Sequence, residues 1–134
     1  MTLEEAREHF YRDKYAVELT GVVIDEVGHR CARCHLDIDE RHYAAHHHVM
    51  GGVVYTLADF AFAVAANHEG HFTVTVSSNI IYMDQPRDNR LNANCYCIKS
   101  GRQMSYFEVE ITDGGGRPVA SVTTTGMHLS GEKL

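Results

Sequence analysis

The sequence has no excess of basic charge. Twelve Lys and Arg stand against eighteen Asp and Glu, for a net charge of −6 at pH 7. That balance speaks against a broad nucleic-acid footprint, while leaving room for a small anionic ligand held by a few local cations. No apolar leader is visible. The opening MTLEEAREHFYRDKYAVELTG is polar and acidic, which reads as no secretory signal and a cytoplasmic protein. No run is long enough to span a bilayer: the longest apolar-rich stretch, Val53 to Ala66, is too short and contains Asp59. Without an export signal, the four cysteines are expected as reduced thiols. Internal repeats, low-complexity tracts and linkers are also missing. The 134 residues therefore read as one domain, 1–134, with 44% hydrophobic and 22% charged residues in an ordinary globular balance.

Punctuation and periodicity give the order of elements. Thr2-Leu3-Glu4-Glu5 matches a capping box, and Leu3, Ala6 and Phe10 follow at helical spacing. Residues 2–14 thus read as a short amphipathic helix. Residues 16–38 interleave Val, Ile, Cys and Leu with polar residues, which predicts two strands turning near Val27-Gly28-His29. Residues 39–50 are polar and His-rich, and predict a flexible, solvated loop. Gly51-Gly52 opens GGVVYTLADFAFAVAANH, too long for a strand and suited to a helix that stops at His68-Glu69-Gly70. From Phe72 the period becomes two. Strands are expected over Phe72–Tyr82, Leu91–Ile98, Gln103–Thr112 and Pro118–Leu129, arranged as a meander. A helix apolar nearly all round must be buried, so the predicted class is α+β, an antiparallel sheet curled around one long central helix. Uncovered strand edges would favour dimers, or dimers of dimers.

Asp59 is the one formally charged side chain between Gly51 and His68. An ionised carboxylate there needs a partner or a raised pKa, and perturbed carboxylates in clefts are candidates for function. The alternative is that Asp59 bonds a backbone amide or a hydroxyl at a subunit seam. Gly51 and Gly52 occupy the helix start, where the first amides have no internal acceptor and the helix dipole favours negative charge. Glycines there let a substrate carbonyl come close, as an oxyanion hole requires. A tight loop-to-helix turn would need Gly equally.

Met50-Gly51-Gly52-Val53-Val54-Tyr55-Thr56-Leu57-Ala58-Asp59 resembles the H-G-G-x-x-x-x-L-A-D segment of PaaI-type hotdog thioesterases. The resemblance runs on through Asn79-Ile80-Ile81-Tyr82-Met83, Ser100-Gly101-Arg102 and Val119-Ala120-Ser121-Val122-Thr123, covering roughly residues 20–128. It implies the hotdog fold, hydrolysis of acyl-CoA thioesters, and assembly as a homodimer or homotetramer. It also implies roles. The Gly51 amide polarises the thioester carbonyl. Asp59, from the partner subunit, activates water or attacks the carbonyl itself. Thr75 helps to position water, and Gly52 lines the substrate. No metal or organic cofactor is implied, coenzyme A entering as part of the substrate. Two positions depart from the family pattern: Met50 stands where the family has His, and Ala44 where it has Asn. His48, in the His46-His47-His48 run, is a candidate to take over the lost polar contact. A protein that kept the fold and lost turnover, a non-catalytic acyl-CoA-binding module, is the alternative reading. A dehydratase using a loop His is a third.

Other signals are weaker. Arg87, Arg90, Lys99 and Arg102 lie near strand ends. Arginine forks suit phosphate, so Arg87 and Arg102 are candidate contacts to the phosphates of CoA, or ordinary surface charge. Cys31 and Cys34, flanked by His29 and His35, suggest zinc. On one strand, however, they would face opposite sides and could not share a metal. Cys95 and Cys97 form a lone C-x-C, which is not a zinc site. Buried structural thiols are expected instead, and the His-rich run is expected to hold no specific metal.

Overall fold

A computed structural model describes residues 1–129 of the chain, so the last five residues of the expected 1–134 domain lie outside the described residues. Helix α1 (Leu3–Phe10) starts on the expected capping box. The Glu5 amide donates to Thr2 Oγ1 at 3.2 Å, and the Thr2 amide donates to Glu5 Oε1 at 2.9 Å. Ala6 and Phe10 form its buried face.

The next stretch departs from expectation. Residues 15–20 form a turn of π-helix rather than the start of a strand. Thr20 Oγ1 donates to Tyr15 O at 3.0 Å, and Gly21 closes the turn at φ 87°. The guanidinium of Arg41 donates to the carbonyls of Glu18 and Leu19 at 3.2 and 3.0 Å. These helix-end carbonyls find their partner far away in sequence, so the interleaving of apolar and polar residues read over 16–38 did not decide the local structure here.

Strands β1 (Val23–Gly28) and β2 (Cys31–Asp37) then form the predicted hairpin, turning through Arg30 at φ 50°. Helix α2 (Gly51–Asn67) follows the His-rich segment. It is succeeded by β3 (Thr73–Tyr82), β4 (Arg90–Ser100), β5 (Met104–Asp113) and β6 (Pro118–His128). All neighbours are antiparallel, in the order β1-β2-β4-β5-β6-β3. The expected four-strand meander is therefore corrected. Only β4, β5 and β6 meander, and β3 sits beyond β6 as an edge strand. The cause lies in residues 83–89, which cross the ends of β6 and β5 instead of turning back. The Met83 and Asp84 amides donate to Val119 O at 2.8 and 3.2 Å, and the Arg87 amide donates to Asp113 Oδ2 at 3.0 Å.

The sheet curls around α2. Val54, Leu57, Phe60, Phe62 and Val64 are buried against Leu36, Leu91, Phe107 and Val109 of the sheet. Phe62 and Phe107 meet edge to face at 5.2 Å. At the far end, Asn67 brackets Thr73, accepting from its amide at 2.6 Å and donating to its carbonyl at 3.2 Å. His68 Nε2 donates to Gly28 O at 2.6 Å. The helix thus runs antiparallel to β3 along the full length of the sheet. One strip of it stays open: Gly52 and Asp59 are exposed, with Tyr55, Thr56 and Ala63 half-buried.

Cys34 faces the core with Ala32 and Leu36, whereas Cys31 points to the other side of β2. The pair cannot share a metal. All four thiols are free, and burial pushes those of Cys34 and Cys95 up. Among the described residues no helix is long and apolar enough to cross a membrane.

Candidate active site

The approach to α2 is more ordered than its composition suggests. His42 is buried, at 2% exposure. Its Nδ1 accepts from the Asp39 amide at 3.0 Å, and its Nε2 faces Thr20 O at 2.7 Å. With Nδ1 accepting from a backbone amide, Nε2 is left to donate to the Thr20 carbonyl. His42 is therefore a structural pin. Beyond it, Tyr43 pairs with Val49, the Ala44 amide donates to His48 O at 2.7 Å, and His47 takes a positive φ of 64°. Gln85 clamps Val49 from the β3–β4 connection, accepting from its amide at 2.8 Å and donating to its carbonyl at 3.4 Å. The Met50 amide donates to His42 O at 2.9 Å. The loop expected over 39–50 is there, and it is tied by backbone contacts and by the side chains of His42 and Gln85. His46, His47 and His48 are exposed on its tip.

This hairpin delivers the chain into α2 with an open N-terminus. Met50, at the cap position, supplies no side-chain acceptor. The amides of Gly51 and Gly52 have no acceptor within the described residues. Tyr82 packs on Gly51: its hydroxyl donates to Gly51 O at 2.8 Å, and a Cβ at Gly51 would lie 3.1 Å from the Tyr82 ring. Burial, and then the neighbouring Tyr55, push the Tyr82 pKa up, keeping the hydroxyl protonated as a donor. A Cβ at Gly52 would meet nothing within 4 Å. Gly51 is thus accounted for by close approach of Tyr82, and Gly52 has no packing reason inside one chain. Gly51 and His48 share an open cleft of about 450 Å³ with Tyr82, Asp84 and Gln85. From the sequence, Tyr82 reads with Tyr55, Phe60 and Phe62 as core, or as acyl pocket at a subunit seam. Tyr82 lay within a matching strand, and nothing marked Gln85.

Asp59 stands two turns further along α2, exposed in the single chain and without a hydrogen bond or ion pair among the described residues. Its pKa is nonetheless raised, first by the protein atoms that partly desolvate it and second by the carboxylate of Asp13. The helical rise of 1.5 Å per residue sets Asp59 about 12 Å along the axis from Gly51. The two cannot flank one carbonyl within the same chain. Thr56 lies on the same strip, its hydroxyl donating to Gly52 O at 2.8 Å.

The remaining candidates are scattered in the single chain. Thr75 is exposed on edge strand β3, two residues from the Thr73–Asn67 contact at the opposite end of α2. Arg87 is exposed in the 83–89 connection, at the Gly51 end. Arg102 lies in the β4–β5 turn at the other end of the sheet, among Lys99, Gln103 and Tyr106.

Known proteins agree with this architecture. The model of the thioesterase superfamily matches residues 46–120, more than half of the chain. Among solved structures, the Escherichia coli PaaI protein from the phenylacetic acid degradation operon is similar with a TM-score of 0.88 and 21% identity, over 96% of this chain and 94% of that one. The phenylacetic acid degradation protein PaaI of Thermus thermophilus, solved as a mutant, gives 0.79 and 27% identity, over 84% and 97%. A hypothetical thioesterase of Streptococcus pneumoniae, solved with coenzyme A, gives 0.83 and 21%, over 92% and 96%. The central-helix-in-sheet architecture is therefore the hotdog fold, and the chain belongs to the thioesterase superfamily.

Proposed function

We propose that this protein hydrolyses acyl-CoA thioesters to the free acid and CoA, in a site built between two copies of the chain. One observation carries the reading. A single helix presents two unoccupied amides at its uncapped start and an unpaired carboxylate of raised pKa on its open strip. The two features are too far apart to act together in one chain, so a second copy completes the constellation. The thioester oxygen accepts from the Gly51 amide of one subunit. Asp59 of the other takes a proton from water as the water oxygen attacks the carbonyl carbon, or attacks that carbon itself. In the first route the tetrahedral intermediate collapses, the C–S bond breaks, and the sulfur leaves as the thiol with the proton Asp59 received; in the second the C–S bond breaks as an acyl–Asp59 anhydride forms, and one water then gives a proton to the departing thiolate and its hydroxyl to the acyl carbon, releasing the acid and restoring Asp59. General-base help of this kind contributes about 10²–10⁴-fold.

Around this centre, Thr75 positions the water, Gly52 and His48 line the substrate, and Arg87 and Arg102 meet the CoA phosphates. This reading calls for assembly as a homodimer or homotetramer, and the β3 edge, where Val76, Ile81 and Tyr82 are exposed, supports it. No cofactor is required, and a cytoplasmic setting suits a CoA ester. The similar proteins of phenylacetic acid degradation and the similar thioesterase solved with coenzyme A make aryl-acyl-CoA thioesters the first substrates to try.

One observation favours a second reading. Ala44 contributes only a backbone to the hairpin before α2, so no side-chain amide is available there to orient substrate or water. A chain disabled in this way would bind acyl-CoA without turning it over. Thiol release by the purified protein, measured across short, medium, long and aryl acyl-CoAs, separates the two. Turnover on one class supports the hydrolase. No turnover, with CoA esters still raising the melting temperature, supports the binding module.

A further inference from the structure

Two glycines in succession make a loose start for a helix, because Gly loses more backbone freedom on ordering than any other residue. At the start of α2, two side-chain hydroxyls offset that looseness. Tyr82 Oη donates to Gly51 O at 2.8 Å, and Thr56 Oγ1 donates to Gly52 O at 2.8 Å. The carbonyls before and after the Gly52 Cα are therefore both held. The Val53 amide is committed, donating to Met50 O at 3.0 Å. The Gly51 and Gly52 amides stay free, directed out along the helix axis.

Of the two hydroxyls, that of Tyr82 is the less expected. Thr56 reaches back one turn along its own helix, as threonine commonly does. Tyr82 arrives from another element, 31 residues away, at the end of β3. Its pairing with Ala120, and the Met83 amide on Val119 O, fix the strand there. The residue is 52% exposed, so water could serve its hydroxyl, yet the hydroxyl turns in to Gly51. It does so at the limit of approach. A Cβ at position 51 would lie 3.1 Å from both Cζ and Oη of Tyr82. Glycine at 51 is what lets the hydroxyl reach the carbonyl.

The consequence lies in the peptide group. Gly51 C=O and Gly52 N–H belong to one planar unit. A donor on that oxygen draws density from the nitrogen and strengthens the N–H as a donor, by about 10–30% per bond. It also fixes the plane, and with it the direction of the N–H. Nothing inside the chain crowds Gly52, where a Cβ would meet no atom within 4 Å. Donors fixed in advance stabilise a developing oxyanion without reorganising.

We infer that Tyr82 is a positioning residue: its hydroxyl, through Gly51 O, orients and polarises the Gly51–Gly52 peptide, so that the Gly52 amide joins the Gly51 amide in holding the thioester oxygen as it becomes an oxyanion. The inference rests on the hydrolase reading and gives Gly52 a part in it beyond lining the substrate.

Tyr82→Phe tests this, because it keeps the ring on Gly51 and removes only the hydroxyl. The substrates are acetyl-CoA, benzoyl-CoA and palmitoyl-CoA. A CoA thioether bearing a trifluoromethyl ketone, which hydrates to a tetrahedral centre, stands in for the intermediate, and CoA itself is the ground-state control. In the variant kcat should fall roughly 10-fold, less than the 10²–10³-fold typical for loss of a whole oxyanion donor. KM should change little, the signature of a contact that counts in the transition state. Affinity for the ketone should fall with kcat/KM, and affinity for CoA should hold. An unchanged kcat, or equal losses of affinity for ketone and CoA, would reduce Tyr82 to a packing contact and leave the hydrolase standing. If the wild type hydrolyses none of the three, the hydrolase reading fails and the ketone decides. Tighter binding of the ketone than of CoA, with that advantage lost in Tyr82→Phe, upholds the poised amide. An equal advantage in both proteins, or none in either, overturns it.

Discussion

Asp59 combines exposure with a raised pKa, and each has a measurable consequence. A carboxylate whose folded pKa lies above its ordinary value of 3.8 binds protons more tightly when folded. Its effect on stability is then most favourable at low pH and is lost as pH rises through the window between that value and the raised one. Asp59→Asn has no such window. Its melting temperature should equal or exceed the wild type at neutral pH, with the gap closing towards pH 4. Its turnover should fall about 100-fold or more. Near-normal turnover would remove Asp59 from the chemistry, and a melting temperature well below the wild type at neutral pH would mean that it is structural. The two glycines separate in the same way. Gly52 has open space around it, and Ala is the better helix former. Gly52→Ala should thus keep or raise the melting temperature while lowering kcat/KM. A rise in both would assign Gly52 to nothing beyond the turn.

At the scale of elements, the long helix and its caps were legible because their signals are local. Thr2 and Glu5 close their box within one turn, and Gly70, at φ 91°, sits just past the end of α2. What the sequence hid is held by partners distant along the chain. The π-helical turn depends on Arg41, and the hairpin before α2 depends on Gln85. The placement of β3 depends on amides that reach Val119 across the strand ends. Alternation can mark a strand but does not say which neighbour it takes. The site divides along the same line: the Gly51-to-Asp59 spacing is readable, whereas Gln85, and the contact of Tyr82 with Gly51, enter only through folding. His42 tests the hairpin. His42→Leu keeps most of the bulk and removes both hydrogen bonds, which should cost about 1–3 kcal/mol in chemical denaturation. It should also lower turnover, because Met50 hangs on the His42 carbonyl directly before Gly51. An unchanged stability would contradict the pin.

On the proposed reading, the whole molecule holds only part of its site in one chain. Its Gly51 and Asp59 are about 12 Å apart along one helix, a strip of α2 is open, and β3 offers an unpaired edge with Val76, Ile81 and Tyr82 exposed. Val76 is the extra residue at a bulge between Thr75 and Ser77. Val76→Asp would set like charges against each other if two β3 edges meet, and sedimentation should then show a smaller species with reduced turnover. An unchanged mass would place the subunit contact elsewhere. The shared site has a more direct test in mixed assemblies. Gly51→Pro deletes the proposed oxyanion amide at the first helical position, where proline's φ fits although its ring must push the Tyr82 side chain aside, and Asp59→Asn deletes the carboxylate. Each variant alone should be nearly inactive. Co-expressed, they form mixed dimers in which one of the two sites pairs an intact Gly51 with an intact Asp59. Thiol release well above the sum of the two variants alone is the predicted result, and no recovery from verified mixed dimers would contradict a site shared between subunits.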